Sequence, residues 1–263
     1  MKNIVITGAF GGMGLETSKL FASKGFKVYA IDRKTYIEGE NIIPIKADLT
    51  DEESVKEAFL KVKETAESID AIIHFAGIYM LDSLVEMETA DFERIVDINF
   101  KGAFLINKHF LPLLKENSRI IITTSELAPL WPLPFTGIYA VTKAALEKYA
   151  YSLSMELQLK KIKVSVLRAG AVSTNMLGVS TAALDRFVEK TELYSCNAQR
   201  FKKIVESVEA RSVRPEKVAG KVERIFSKKN PAFAYKLNRN PLLLMLNLLP
   251  KRLQLFAIKL VLK

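Results

Sequence analysis

Short runs of β-branched and other apolar residues alternate along the chain with longer stretches in which apolar positions recur every three or four residues. The short runs fall at 3–7 (NIVIT), 27–32, 41–47, 70–76, 119–124 and 163–169. They predict six buried strands, because a parallel strand covered on both faces reads as an unbroken apolar run. The longer stretches at 12–24, 51–67, 89–116 and 138–160 predict helices, the second opening on the capping-box pattern Thr50-Asp51-Glu52-Glu53. Strand then helix, repeated, is the mark of βαβ units, so the expected architecture is α/β with a doubly wound parallel sheet, one domain over 1–240. The regular spacing stops at 173, and 173–214 reads as an insertion that serves the substrate. Beyond it come a helix at 214–226, a last strand at 232–235 and an apolar, basic tail at 241–263.

Composition changes this picture little. Of the 263 residues 49% are hydrophobic and 26% charged, which fits a globular chain and excludes a disordered one. Strand-like residues begin at Asn3 and leave no room for a secretory leader, so a cytoplasmic location is expected. Cys196 has no second cysteine to pair with, and His74 and His109 are too far apart for a metal-ligand motif; no metal is expected. The net charge of +10 is unevenly spread: nine of the 39 Lys and Arg residues lie after Glu223 and none of the 29 Asp and Glu does. No basic face interleaved with aromatics accompanies that excess, so no nucleic-acid partner is expected.

The first strand stops at Thr7 and gives way to four glycines within seven positions, Gly8-Ala9-Phe10-Gly11-Gly12-Met13-Gly14. Such a turn lets backbone N–H groups approach a diphosphate at the following helix N-terminus, where side chains would obstruct. Asp32 closes the second strand, where an acid hydrogen-bonds the ribose hydroxyls of an adenosine and repels a 2′-phosphate. NAD(H) is therefore the preferred cofactor, although Arg33 and Lys34 follow at once and leave NADP(H) open. Tyr139 and Lys143 stand four apart at the head of a predicted helix and share a face. A lysine charge about 4 Å from the phenol is worth roughly 4 kcal/mol to the phenolate, enough to bring its pKa from about 10 toward neutrality.

The spacing T-G-x-x-x-G-x-G, read with Tyr139-Ala-Val-Thr-Lys143, resembles the short-chain dehydrogenase/reductase family in its single-domain Rossmann form, over roughly 3–230. The resemblance implies that Tyr139 is the general acid or base and that Lys143 also holds the nicotinamide ribose. It implies further that Ser125 polarises the substrate oxygen and that Asn99 binds a water linking the lysine to solvent. Thr7, Gly8, Gly12, Met13 and Gly14 would then hold the diphosphate, Asp48 and Leu49 flank the adenine, Ala76 and Gly77 leave the backbone open to the adenosine, and Thr174 meets the carboxamide. Two departures stand out. The family's serine usually precedes the tyrosine by thirteen residues, where Glu126 stands here; an extra residue in the loop keeps Ser125 in the role. His74-Phe75-Ala76-Gly77 replaces N-N-A-G, and His74 reads as a packed strand histidine.

Apolar residues crowd the two segments downstream of the strand ends. Leu127, Leu130, Trp131, Leu133 and Phe135 in one, and Met176, Leu177, Leu184, Phe187 and Val188 in the other, are expected to line a substrate mouth. The expected substrate is a hydrophobic alcohol or ketone, steroid-, retinoid- or acyl-like, since PLPFTGIY resembles the hydroxysteroid and retinol branches. On a helix starting at Lys251, the residues Lys251, Arg252, Lys259 and Lys263 fall on one face. That profile suits a segment on an anionic membrane surface, and equally one folded over the mouth or packed on a sister subunit. The resemblance implies a homodimer or homotetramer. Two other functions stay open, a dinucleotide sensor without turnover and a membrane-docked scaffold.

Overall fold

The computed structural model describes residues 2–36, 39–209 and 211–263, with the backbone alone at 175–181 and 208–209. Among them, seven strands form one parallel sheet in the order β3-β2-β1-β4-β5-β6-β7. They are β1 (Asn3–Thr7), β2 (Lys27–Asp32), β3 (Ile42–Lys46), β4 (Ile69–His74), β5 (Leu114–Thr123), β6 (Lys163–Ala169) and β7 (Ala234–Leu237). The crossovers reverse direction between β1 and β4, and this opens a crevice at the carboxyl ends of those two strands.

Alternate residues of each strand feed opposite faces. On one side Ile4, Ile6, Ala71 and Ile73 meet Phe21 of α1 (Gly12–Ser23) and Val222 of α8 (Pro215–Ser227). On the other, Val5, Tyr29 and Ile72 meet α2 (Glu52–Lys63) and α4 (Gly102–Phe110) through Val55 and Phe110. Helix α5 (Gly137–Leu157) covers β5 and β6 with Leu146 and Ala150.

The expected helix over 89–116 is instead three pieces. These are α3 (Thr89–Val96), a π-helical turn Asp97–Lys101, and α4, after which a short 3₁₀ turn leads into β5 at Leu114. Pro112 supplies no N–H to continue a helix, and Ile69 across the sheet captures Leu114 in the strand ladder. The insertion also differs from its flat reading. It folds as α6 (Asn175–Lys190) and α7 (Ser195–Glu209), and its base is pinned where the Ser173 N–H donates to Val213 O and the Val213 N–H to Ala171 O, at 2.8 and 3.1 Å. The tail forms α9 (Pro241–Leu248) and α10 (Lys251–Leu262). Among the described residues no helix is long and apolar enough to cross a membrane.

Candidate active site

The glycine turn sits in the crevice between β1 and β4. Gly8 has φ of +65°, and a Cβ there would lie 2.6 Å from Ala76 N; a Cβ on Gly14 would lie 2.1 Å from Gly8 O. Both positions exclude any side chain, and so the turn passes flat against β4 and α1 starts directly above it. Gly11 caps α1 without a side-chain hydrogen bond, and the first turn carries no acid, which leaves its N–H groups free to face an anion. At the foot of the turn the Thr7 hydroxyl is buried without a partner among the described residues.

Asp32 reaches across from the end of β2. Its Oδ2 accepts the Phe10 N–H at 3.1 Å, so the acid pins the turn as well as facing the cleft. The cleft, about 300 Å³, is lined by Gly8, Gly12, Met13 and Gly14 on one side and by Asp32, Arg33, Asp48 and Leu49 on the other; Ala76, Gly77 and Thr174 close it. Asp48 is held below the usual carboxylate range, first by the Thr50 backbone N–H and more weakly by the Arg33 charge. The residues expected to hold a dinucleotide thus converge, except that Thr7 is buried behind the turn and Lys143 belongs to the neighbouring cavity. The flat turn, the open helix terminus and the acid at the end of β2 together fit a dinucleotide.

That second cavity, about 200 Å³, abuts the first, and Met13, Gly77, Tyr79 and Thr174 line both. Ser125, Tyr139 and Lys143 face it. The Ser125 Oγ accepts the Leu127 N–H at 3.2 Å, leaving its own hydrogen to donate, and it lies within hydrogen-bonding reach of the Tyr139 oxygen. Ser125 is therefore the serine at the tyrosine. Glu126 lines the same cavity, and its Oε2 accepts the Asn240 N–H at 2.6 Å.

The structure corrects the expectation that Lys143 draws the phenol toward neutrality. Tyr139 is pushed up to about 12, because protein packed around its hydroxyl withdraws it from water and the Glu126 charge adds to this, against the opposing Ser125 hydrogen bond. Lys143 lies 5.8 Å from the ring centroid and donates to Thr123 O at 3.3 Å; its own burial brings it down to about 8. Near neutral pH the pair is a phenol beside an ammonium, an arrangement poised to give a proton.

Asn99 sits in the π turn, whose extra residue brings its amide to the loop after β4. Its Oδ1 accepts the Ile78 N–H at 2.7 Å, while its Nδ2 donates to Ile78 O at 3.0 Å and to Thr142 Oγ1 at 3.1 Å. A Cβ on Gly77 would stand 3.2 Å from Asn99 Oδ1 and 3.3 Å from Lys143 Nζ, so both groups border one small gap.

Apart from Glu126, Asn240 and several threonines the rest of the cavity wall is apolar, with some members that the sequence did not reveal. Leu127 and Leu133 line it as expected; Tyr79, Phe201, Ile204, Val205 and Leu243 were not anticipated. Tyr79 packs edge-on against Tyr139 with centroids 4.6 Å apart. Trp131 is exposed, and Leu130 is not in the wall. Phe135, Leu184, Phe187 and Val188 instead form a cluster behind it, where the Phe135 ring packs on Phe187, Tyr194 and Phe201. The side chains of Met176 and Leu177 lie outside the described residues. The i, i+3, i+4 spacing of Phe201, Ile204 and Val205 was the signal available for α7.

Residues 2–185 match the family model described as short chain dehydrogenase. The chain is 27% identical over 237 residues to a 3-ketodihydrosphingosine reductase of Bacteroides thetaiotaomicron, covering 89% of this chain and 86% of that one. It is 31% identical over 186 residues to the oxidoreductase UcpA of Salmonella typhimurium, covering 66% and 71%. Among solved structures, a short chain dehydrogenase family protein from Francisella tularensis superposes with a TM-score of 0.76 at 22% identity, over 90% of this chain and 97% of that one. A 3-ketoacyl-(acyl-carrier-protein) reductase from Brucella melitensis complexed with NADH gives 0.73 at 23%, over 90% and 96%. With the glycine turn, the seven-stranded sheet and the family model in agreement, the chain belongs to the short-chain dehydrogenase/reductase family of NAD(P)-linked oxidoreductases.

Proposed function

We propose that this chain interconverts a hydrophobic secondary alcohol and its ketone with NAD(H). The observation that carries the proposal is the meeting of two cavities: a serine and a tyrosine within reach of each other line a mainly apolar pocket, and that pocket adjoins the glycine-turn cleft.

In this reading the α1 N-terminus and the glycine turn bind the diphosphate, while Asp32 takes the ribose hydroxyls and disfavours a 2′-phosphate. The nicotinamide supplies or accepts the hydride. Ser125 donates to the substrate oxygen and stabilises charge that develops there. Tyr139, a phenol in the resting site, gives its proton to that oxygen in reduction and takes one in oxidation. Lys143 and Asn99 border the gap through which the proton is replaced. The names of the Bacteroides and Brucella proteins both carry a keto substrate, which supports a ketone here. Exposed Phe104, Val141, Tyr151 and Met155 on α4 and α5 support assembly through these helices.

NADH absorbance followed with a panel of ketones and alcohols, in wild type and Tyr139→Phe, tests the reading. Turnover of apolar ketones by the wild type, with the variant inactive but still binding NADH, is expected. Binding without turnover of any member of the panel points to a sensor and overturns it.

A further inference from the structure

The tail answers one question and raises another. Its inner side belongs to the pocket: Leu243 of α9 lines the cavity, Asn247 Oδ1 accepts the Trp131 N–H at 2.7 Å, and Lys251 stacks over the Trp131 ring at 4.0 Å. Further on, Gln254 and Leu262 of α10 are buried and Ile258 between them packs on the cluster under α7; Asn197 Nδ2 donates to Leu262 O at 2.6 Å. These positions, four apart, mark the face of α10 turned toward the protein.

The opposite face is apolar too. Leu253, Phe256 and Leu260 are 52%, 63% and 70% exposed, and Leu248, the last residue of α9, is 85% exposed. An outward face of this kind is not a solvated surface, since monomeric proteins seldom leave contiguous leucine patches open. Beside it runs a row of cations, Arg252, Lys259 and Lys263, all exposed. At about 100° per residue these three fall within a narrow arc adjoining that of Phe256, Leu260 and Leu253.

We infer that the outer face of α10 docks on the surface of an anionic phospholipid bilayer. An apolar face flanked by a basic row matches the two layers of such a surface, with side chains entering the acyl boundary and ammonium and guanidinium groups staying at the phosphates. A second copy of the chain fits poorly. In a two-fold interface the patch meets itself, and no acid after Glu223 is present to answer its cations. Docking sets the tail, and with it the wall that Leu243 contributes, at the lipid surface, where an apolar substrate would be taken up. That last step rests on the proposed function; the docking does not.

The test is cosedimentation of the full chain with vesicles of phosphatidylcholine alone or mixed with phosphatidylglycerol, without substrate or cofactor. The altered positions make no contact with the pocket, and NADH affinity and thermal melting of each variant verify the fold. Wild type is expected to pellet with the mixed vesicles and to be released by salt. Arg252→Gln/Lys259→Gln/Lys263→Gln should weaken the partition by about fivefold per cation, roughly a hundredfold in all. Leu253→Gln/Phe256→Gln/Leu260→Gln should remain in the supernatant. Wild type left in the supernatant, or bound equally by both vesicle types, overturns the inference. So does a folded apolar variant whose only change is loss of self-association by analytical ultracentrifugation. Because the readout is partition, a chain that binds vesicles yet turns nothing over refutes the proposed function and leaves the docking standing.

Discussion

His74 ends β4, one residue before the Phe75–Gly77 stretch that walls the dinucleotide cleft, and it is fully enclosed. Its Nε2 is 3.0 Å from Asn107 Oδ1, and Asn107 Nδ2 in turn donates to Tyr149 OH at 3.2 Å; an acceptor oxygen facing Nε2 places the ring proton there. Burial outweighs that hydrogen bond, the Lys143 charge adds to it, and the imidazole is brought from 6.5 down to about 4. The folded state therefore binds fewer protons than the unfolded chain between pH 4 and 6.5. Stability from this group is complete above 6.5 and drains away as the pH falls to about 4. A difference of about 2.5 pH units at about 1.36 kcal/mol each gives roughly 3 kcal/mol, a large part of the stability of an ordinary domain. Replacing His74 with Asn removes the titration and retains a donor for Asn107. Urea unfolding at pH 7 and pH 4 measures the consequence. The loss of unfolding free energy between the two conditions should be about 3 kcal/mol smaller in the variant than in the wild type. Equal losses would show that His74 is protonated in the fold at little cost, and the reasoning from burial would fail.

Three further substitutions probe the site. Gly14→Ala sets a methyl group 2.1 Å from Gly8 O, which cannot yield without moving β1, so NADH affinity by fluorescence titration should fall by about tenfold or more. Ser125→Ala removes the donor to the substrate oxygen and should lower kcat by about 10²–10³-fold while NADH affinity holds. Glu126→Gln keeps an acceptor for the Asn240 N–H but removes the charge that helps hold Tyr139 high, so alcohol oxidation at about pH 9 should speed up. An unchanged or slower rate would assign the phenol's high value to burial alone.

The strands and the glycine turn were legible because each is specified locally: a buried parallel strand needs an apolar run, and the turn needs glycine where Ala76 and Gly8 press against it. Tyr139 and Lys143 followed from their spacing on one helix, and Ser125 from the family resemblance. What escaped the sequence depends on packing across elements. Leu114 continues a helical pattern and is taken by the strand opposite Ile69, and Leu243 reaches the pocket from a segment more than a hundred residues beyond Ser125. The proton chemistry of Tyr139 escaped for the same reason. A charge four residues away is visible in a sequence; the protein atoms that desolvate the hydroxyl are not.

The five-residue π turn that carries Asn99 also absorbs one residue of chain length. Its wide pitch turns five residues through about the angle that four turn in an α-helix, so closing it by one residue would leave Leu105, Ile106 and Phe110 facing the core and would cost the placement of the Asn99 amide against Ile78. Ser125 needs no such device, because the N–H groups of Thr124 and Glu126 on either side of it donate to Leu167 O and Ala169 O of β6, each at 3.0 Å. One neighbour of the reacting atoms is thus placed by a local widening of a helix and the other by the strand beside it.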